Sequence, residues 1–329
     1  ERAHLCKVVG EMFQKVATFV SRLGARSRWN VFAGFGCTAV VGGGVGFAAC
    51  REENIVANQR VIQGKVLITG AASGLGRLMA LEVAKRGGTV VAWDINRANM
   101  DQLLLELRKL TPGRDHYGYL VDVSSREKIY EAAEQVKNDV GNINVLINNA
   151  GIVAGKPFME LPDEKIEMVM KINTLGMFWT TKAFLPAMIA ENRGHVVAMA
   201  SAAGLIGVSG LADYSASKFA VVGFNESLRF ELAKIAPGVR TTVVCPFYIN
   251  TGLFKGVQTR FPHLLPVLEA EYVAKRVIEA IELQEERVVM PRIVNLIDLG
   301  RVLPVSMFDA IAKFMGVNQS MDTFVGRAS

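Results

Sequence analysis

Val66-Leu-Ile-Thr-Gly-Ala-Ala-Ser-Gly-Leu-Gly76 is an apolar run that breaks into a glycine turn. A strand that ends in glycines and gives way to a helix is the setting a phosphate-binding loop requires. Glycines let backbone amides approach a pyrophosphate, and the helix N-terminus favours negative charge there. A glycine pattern alone also describes a tight structural turn. Asp94 weighs against that alternative, because this carboxylate ends the next apolar run, Val90-Val-Ala-Trp93, eighteen residues beyond Gly76. At such a place a carboxylate accepts hydrogen bonds from ribose hydroxyls and repels a 2′-phosphate. The expected cofactor is therefore NAD rather than NADP, with Arg77 and Arg97 near enough in sequence to argue the other way.

Outward from this turn the same grammar repeats. Apolar runs at 66–68, 89–93, 117–121, 143–147, 195–200, 241–245 and 287–290 are short, rich in Val and Ile, and separated by segments of helical period. Seven such runs with helices between them predict an α/β fold, a doubly wound, Rossmann-like parallel sheet covered on both faces. The 329 residues admit one such domain with extensions, and half of them are apolar and 21% charged, enough for a large core. The net charge of +6 is spread along the chain without an aromatic-basic cluster, so no nucleic-acid partner is expected. Cysteines at 6, 37, 50 and 245 and histidines at 4, 116, 195 and 263 show no metal-ligand spacing, so no metal is expected.

Tyr214-Ser-Ala-Ser-Lys218 places a phenol and an ammonium one helical turn apart on one face. A positive charge near a phenol favours the phenolate, so the pair is suited to exchanging a proton with an alcohol. Any amphipathic helix can carry this pattern by itself. Here Ser201 ends the run Val196-Val-Ala-Met-Ala thirteen residues upstream, and the glycine turn precedes both.

With Thr69 to Gly76, Asn148-Asn-Ala-Gly151, Ser201 and Tyr214 with Lys218 in that order, the chain resembles the short-chain dehydrogenase/reductase family over roughly residues 62–290. The resemblance implies hydride transfer between nicotinamide and an alcohol or ketone. Tyr214 would act as acid and base, Lys218 would tune it and bind the nicotinamide ribose, and Ser201 would hydrogen-bond the developing alkoxide. Asn173 would hold a proton-relaying water, against the alternative that it caps local backbone. The implied cofactor contacts are Gly70, Ser73, Gly74, Leu75 and Gly76 in the turn, Asp94, Asp122 and Val123, Asn149 and Ala150, Tyr214 and Lys218, and Ile249 and Thr251. Ser73 stands where NADP users often carry a basic residue, and Phe247 replaces a usual glycine.

Stretches such as Asn173 to Pro186, Cys245-Pro-Phe and Met321-Asp-Thr-Phe324 look most like the membrane-associated branch of retinol and 17-beta-hydroxysteroid dehydrogenases. That branch implies a retinoid, steroid or fatty-chain substrate and a lid at 251–268 with Leu253, Phe254, Phe261, Leu264 and Leu265. It also implies the endoplasmic reticulum or lipid droplets, with the mitochondrial inner membrane as the alternative.

The ends read differently. Residues 1–30 suggest a basic amphipathic helix or a targeting segment, and 31–50 are twenty residues without a charge, long enough to cross a bilayer. Six glycines there also fit a linker. Gly34, Thr38, Gly42, Gly46 and Cys50 would form a small-residue stripe for a neighbouring helix. The expected division is a membrane-associated segment at 1–63, the dehydrogenase domain at 64–290, and an apolar extension at 291–329. That extension could rest on a membrane, cover the substrate mouth or pair subunits. Two functions remain in view: an enzyme, expected to form a homodimer, or a dehydrogenase fold retained as an accessory subunit of a membrane assembly.

Overall fold

Seven parallel strands in the order 3-2-1-4-5-6-7 make up the sheet of the computed structural model, which describes residues 61–326. They are β1 (Lys65–Thr69), β2 (Thr89–Asp94), β3 (Tyr117–Leu120), β4 (Val145–Asn148), β5 (Gly194–Met199), β6 (Val239–Pro246) and β7 (Arg287–Met290). Each apolar run of the sequence becomes one strand, with ends shifted by at most two residues.

Alternation along the strands divides the core. Val66 and Ile68 of β1 and Val90 and Ala92 of β2 face one side. There they meet Met79 and Val83 of α1 (Gly74–Lys85), Leu103 and Leu107 of α2 (Arg97–Leu110), and helix Ala270–Glu282. Leu67, Val91 and Trp93 face the other side, against Ile129 and Val136 of α3 (Arg126–Asp139) and Phe184 and Met188 of helix Gly176–Ala190. In sequence order the remaining helices are α4 (Asp163–Met170), α5 (Gly176–Ala190), α6 (Ala212–Ile235), α7 (Ala270–Glu282), α8 (Leu296–Gly300) and α9 (Val305–Phe314). Burial on both faces is why these strands read as continuous apolar runs rather than alternating ones. Asn96 and Ser125 start α2 and α3 by accepting from the amides of Asn99 and Lys128, caps worth about 1 kcal/mol each.

The chain runs outward from β1 through β2 to β3, then returns to place β4 on the opposite side of β1. Neighbouring connections therefore diverge at the carboxyl ends of β1 and β4, leaving the crevice in which open α/β sheets bind ligands. After β7 the chain lies against the body. Arg301 donates from Nε (2.9 Å) and Nη2 (2.5 Å) to Leu205 O and stacks over Phe219, while Arg260 sits over the rings of Phe261 and Phe314.

The amphipathic segment at 1–30, the uncharged stretch at 31–50 and the residues from there to 60 lie outside the described residues. Among the described residues, no helix is long and apolar enough to cross a membrane.

Candidate active site

Thr69, the last residue of β1, joins the two halves of the crevice. Its Oγ1 accepts from the amides of Asn149 and Ala150, each at 3.0 Å, and Asn149 Nδ2 donates back to Thr69 O (3.0 Å) and Gly70 O (3.3 Å). The glycine turn is thus strapped to the end of β4. Gly70 has φ +64°, and a Cβ on Gly76 would sit 2.0 Å from Gly70 O, so both positions demand glycine. Leu75 anchors the turn on the core. Ser73 is the N-cap residue of α1, whose first turn holds no acidic residue, which leaves the positive end of the helix open to an anion.

Asp94 closes the far side of the turn. Oδ2 accepts from Ala72 N (2.9 Å) and Oδ1 from Asn96 N (3.0 Å), and a carboxylate held by one bond on each oxygen keeps further acceptor capacity. Of the two arginines that could attract a 2′-phosphate, Arg77 pairs with Glu106, while Arg97 is exposed and meets Asp101 only in a weak surface contact. Thr251 lies across from the turn, 3.7 Å from where a Cβ on Gly74 would be, and Ile249 is held by a bridge to Leu268. Asp122 folds onto Ser124, accepting from its amide and hydroxyl, and these bonds hold its carboxyl below the usual range. Val123 is nearly buried, with its carbonyl close enough to Gly176 to exclude a side chain there. Thr69, Val123, Ala150, Asn173 and Met199 share one small crevice.

Helix α6 supplies the phenol and the ammonium. Lys218 Nζ lies 5.6 Å from the Tyr214 ring centroid and donates to Met199 O at 2.8 Å, at the end of β5. Ser201 follows that strand; its Oγ accepts from Ala203 N (3.1 Å) and donates to Pro246 O at 3.5 Å, and the side chain lies near enough to Tyr214 to oppose the rise in that phenol's pKa. The three side chains named from separate motifs converge at the carboxyl edge of the sheet.

Asn173 enters from a π-helical turn, Lys171–Leu175, between α4 and α5. Its Oδ1 accepts from Ile152 N (2.8 Å), while Nδ2 donates to Ile152 O (2.9 Å) and Ser217 Oγ (3.1 Å). Ser217 in turn donates to Tyr214 O at 2.7 Å, so Asn173 ties the chain leaving β4 to the helix that carries the phenol. A Cβ on Gly151 would lie 3.3 Å from Asn173 Oδ1 and 3.6 Å from Lys218 Nζ, which places the amide and the ammonium on the same patch of backbone. The π turn re-aims one residue within an otherwise helical run, a device common at functional sites.

One expectation from the sequence reverses here. The phenol of Tyr214 is pushed up, not down: burial dominates, the Ser201 side chain opposes it, and neighbouring Tyr248 adds to the rise. Burial also pulls the Lys218 ammonium down to about 8. The ammonium spends a donor on Met199 O and stands off the ring, so desolvation outweighs its attraction for a phenolate.

The source of that burial is an apolar cluster that the motifs did not announce. Tyr214 is 5% exposed and clusters with Ala203, Leu211, Tyr248 and Met321, while Phe254 and Phe324 pack at the margin. Phe254 presents its edge to Tyr214 at 5.6 Å between centroids and stands 5.2 Å from Tyr248. Phe247, in place of a glycine, tilts onto Tyr248 at 4.7 Å. Tyr248, Ser320 and Gly155 escaped sequence reasoning. The only local hint was an aromatic pair following Pro246.

A family model described as short chain dehydrogenase matches residues 64–260. Epidermal retinol dehydrogenase 2 of Mus musculus is 46% identical over 264 residues, covering 80% of this chain and 85% of that protein. Retinol dehydrogenase 10 of Homo sapiens is 38% identical over 297 residues, covering 82% and 87%. A solved short chain dehydrogenase/reductase from Burkholderia phymatum in complex with NAD superposes with a TM-score of 0.65 at 27% identity, over 73% of this chain and 93% of that one.

Proposed function

The chain belongs to the short-chain dehydrogenase family, and from that premise we propose that it oxidises a lipophilic alcohol, a retinoid first among candidates, with NAD. The observation that carries the proposal is the convergence of Tyr214, Lys218 and Ser201 beside a turn that only glycines can form. The turn fits a dinucleotide: the amides at the start of α1 would hold the pyrophosphate, and Asp94 would accept from the adenosine ribose hydroxyls. NAD is favoured by Asp94, by Ser73 where NADP users often carry a base, and by the pairing of Arg77 with Glu106. The cofactor, when bound, supplies the hydride acceptor at C4 of its nicotinamide.

Tyr214 would take the hydroxyl proton of the substrate in oxidation and return it in reduction, within hydrogen-bond reach of the substrate oxygen. Ser201 would donate a hydrogen bond to the same oxygen as negative charge develops on it. Lys218 would hold the nicotinamide ribose. Asn173, two bonds away through Ser217, would keep α6 in register with the crevice and, by the family likeness, support a water next to Lys218. Asp122, Val123, Asn149, Ala150, Ile249 and Thr251 would line the rest of the cofactor path. A retinoid is supported by the names of the two relatives and by the apolar surroundings of Tyr214. The uncharged stretch at 31–50 supports attachment to a membrane, where such substrates dissolve.

The test is Tyr214→Phe, assayed with retinol and NAD by absorbance of the reduced cofactor. Turnover should fall about 10²- to 10⁴-fold, the range for a positioned proton-transfer group, while NADH affinity by fluorescence titration stays nearly unchanged. Turnover close to that of the unaltered protein would reject the assignment.

A further inference from the structure

Met321 joins the cluster around the phenol and Phe324 packs at its margin, both from the C-terminal segment, and their seat is built for them. A Cβ on Gly155 would lie 2.1 Å from Phe324 Cε1, and one on Gly256 would lie 2.2 Å from Thr323 O. Two glycines thus leave the room that the segment fills. The segment is hydrogen-bonded to the lid: Val325 N donates to Lys255 O (2.9 Å), Thr323 Oγ1 to Gly256 O (2.6 Å) and Gln258 N to Ser320 O (3.2 Å). Phe324 and Phe254 stand 6.3 Å apart between centroids, and Phe254 touches the Tyr214 ring.

From this arrangement we propose that Phe324 and Met321 are specificity-determining residues that form, with Phe254, the distal wall of the substrate site and select long apolar alcohols. The inference rests on the oxidoreductase proposal above. Tyr214 is 5% exposed, so a substrate hydroxyl that meets its phenol displaces part of this cover. The cover is Val153, Val208, Phe254, Val257, Met321 and Phe324, and the hydroxyl of Tyr248 beside them is bonded to Ser320 Oγ at 2.8 Å. These side chains offer no charged group to a second polar substituent, so such a substituent is buried there without a partner and is disfavoured. A hydrocarbon chain instead replaces one apolar contact with another. Because lid and C-terminal segment are joined by backbone hydrogen bonds, they move as one wall, and the aromatic rings that leave the phenol close on the substrate body.

The experiment compares the unaltered protein with Phe324→Ala, Phe324→Leu and Met321→Ala, each with NAD. It measures kcat/KM for retinol and for cyclohexanol, and retinol affinity by the fluorescence of retinol in the presence of NADH. Phe324→Ala should weaken retinol binding and its kcat/KM by about tenfold or more, the scale at which an apolar pocket discriminates. Cyclohexanol, too short to extend past Phe254 to Phe324, should change far less, and Phe324→Leu should recover part of the loss. NADH affinity and the thermal midpoint report whether a variant is folded. An unchanged retinol-to-cyclohexanol ratio and unchanged retinol affinity in both alanine variants would overturn the inference, as would an unaltered protein that binds no retinol. Retinol binding that depends on Phe324 without turnover of either alcohol would instead uphold the wall and defeat the oxidoreductase proposal.

Discussion

Tyr214 and Lys218 are placed by a five-residue pattern, but their proton affinities are set by what covers them. The pattern puts both side chains on one face of α6, which the structure bears out at 5.6 Å from ring to Nζ. It carries no information on burial, and burial raises the phenol and lowers the ammonium to about 8. Oxidation needs the phenol to lose its proton, so kcat/KM for retinol oxidation should climb with pH through the alkaline range, while reduction of retinal, which uses the protonated phenol, stays nearly flat. A rate of oxidation independent of pH would remove Tyr214 from the proton path. Asp94 is the second residue whose role is local. Asp94→Ala removes the acceptor for ribose hydroxyls and the repulsion of a 2′-phosphate, so the ratio of kcat/KM with NAD to that with NADP should fall by about tenfold, one lost hydrogen-bonded charge at the site. A clear excess with NADP before any substitution would defeat the NAD preference.

At the scale of elements, the strands were legible because parallel strands buried on both sides must be apolar at nearly every position. The split between Val66 with Ile68 and Leu67 needs only the pleat. What the runs concealed was a polar side chain inside one of them. His195 of β5 is buried, and Thr242 Oγ1, which donates to Glu285 O at 2.6 Å, lies 2.7 Å from its Nε2. The hydroxyl hydrogen is already committed, so Nε2–H is the donor and the ring is neutral. Burial, helped by Arg240, pulls its pKa from 6.5 down to about 3. The unfolded chain therefore binds a proton that the folded chain refuses once the pH drops below 6.5. The stability held above that value is lost progressively as the pH falls toward about 3. The urea midpoint should accordingly drop between pH 7 and pH 5 by more in the unaltered protein than in His195→Gln, which keeps a donor for Thr242 but cannot titrate. His116, whose pKa burial also lowers, leaves the variant some acid sensitivity. An equal drop in both proteins would assign the effect elsewhere.

At the scale of the whole molecule, the question is whether the chain works alone or within an assembly. Intact convergence of Tyr214, Lys218 and Ser201 favours an enzyme, and the long apolar ends favour partners. Extraction in mild detergent followed by size measurement should give a dimer that reduces NAD with retinol. A large complex holding NAD that it never reduces would support the accessory role. The sequence by itself determined the seven-stranded sheet, the glycine turn, the carboxylate that ends β2 and the phenol–ammonium pair, because each depends on neighbours a few residues away: strand pleat, helical turn, backbone room. Only the tertiary structure decided what covers the phenol, how its proton affinity moves and where Asn173 spends its amide. Those follow from residues such as Phe254, Met321 and Phe324, far apart in the chain, being brought together where water is excluded, and no local period encodes that meeting.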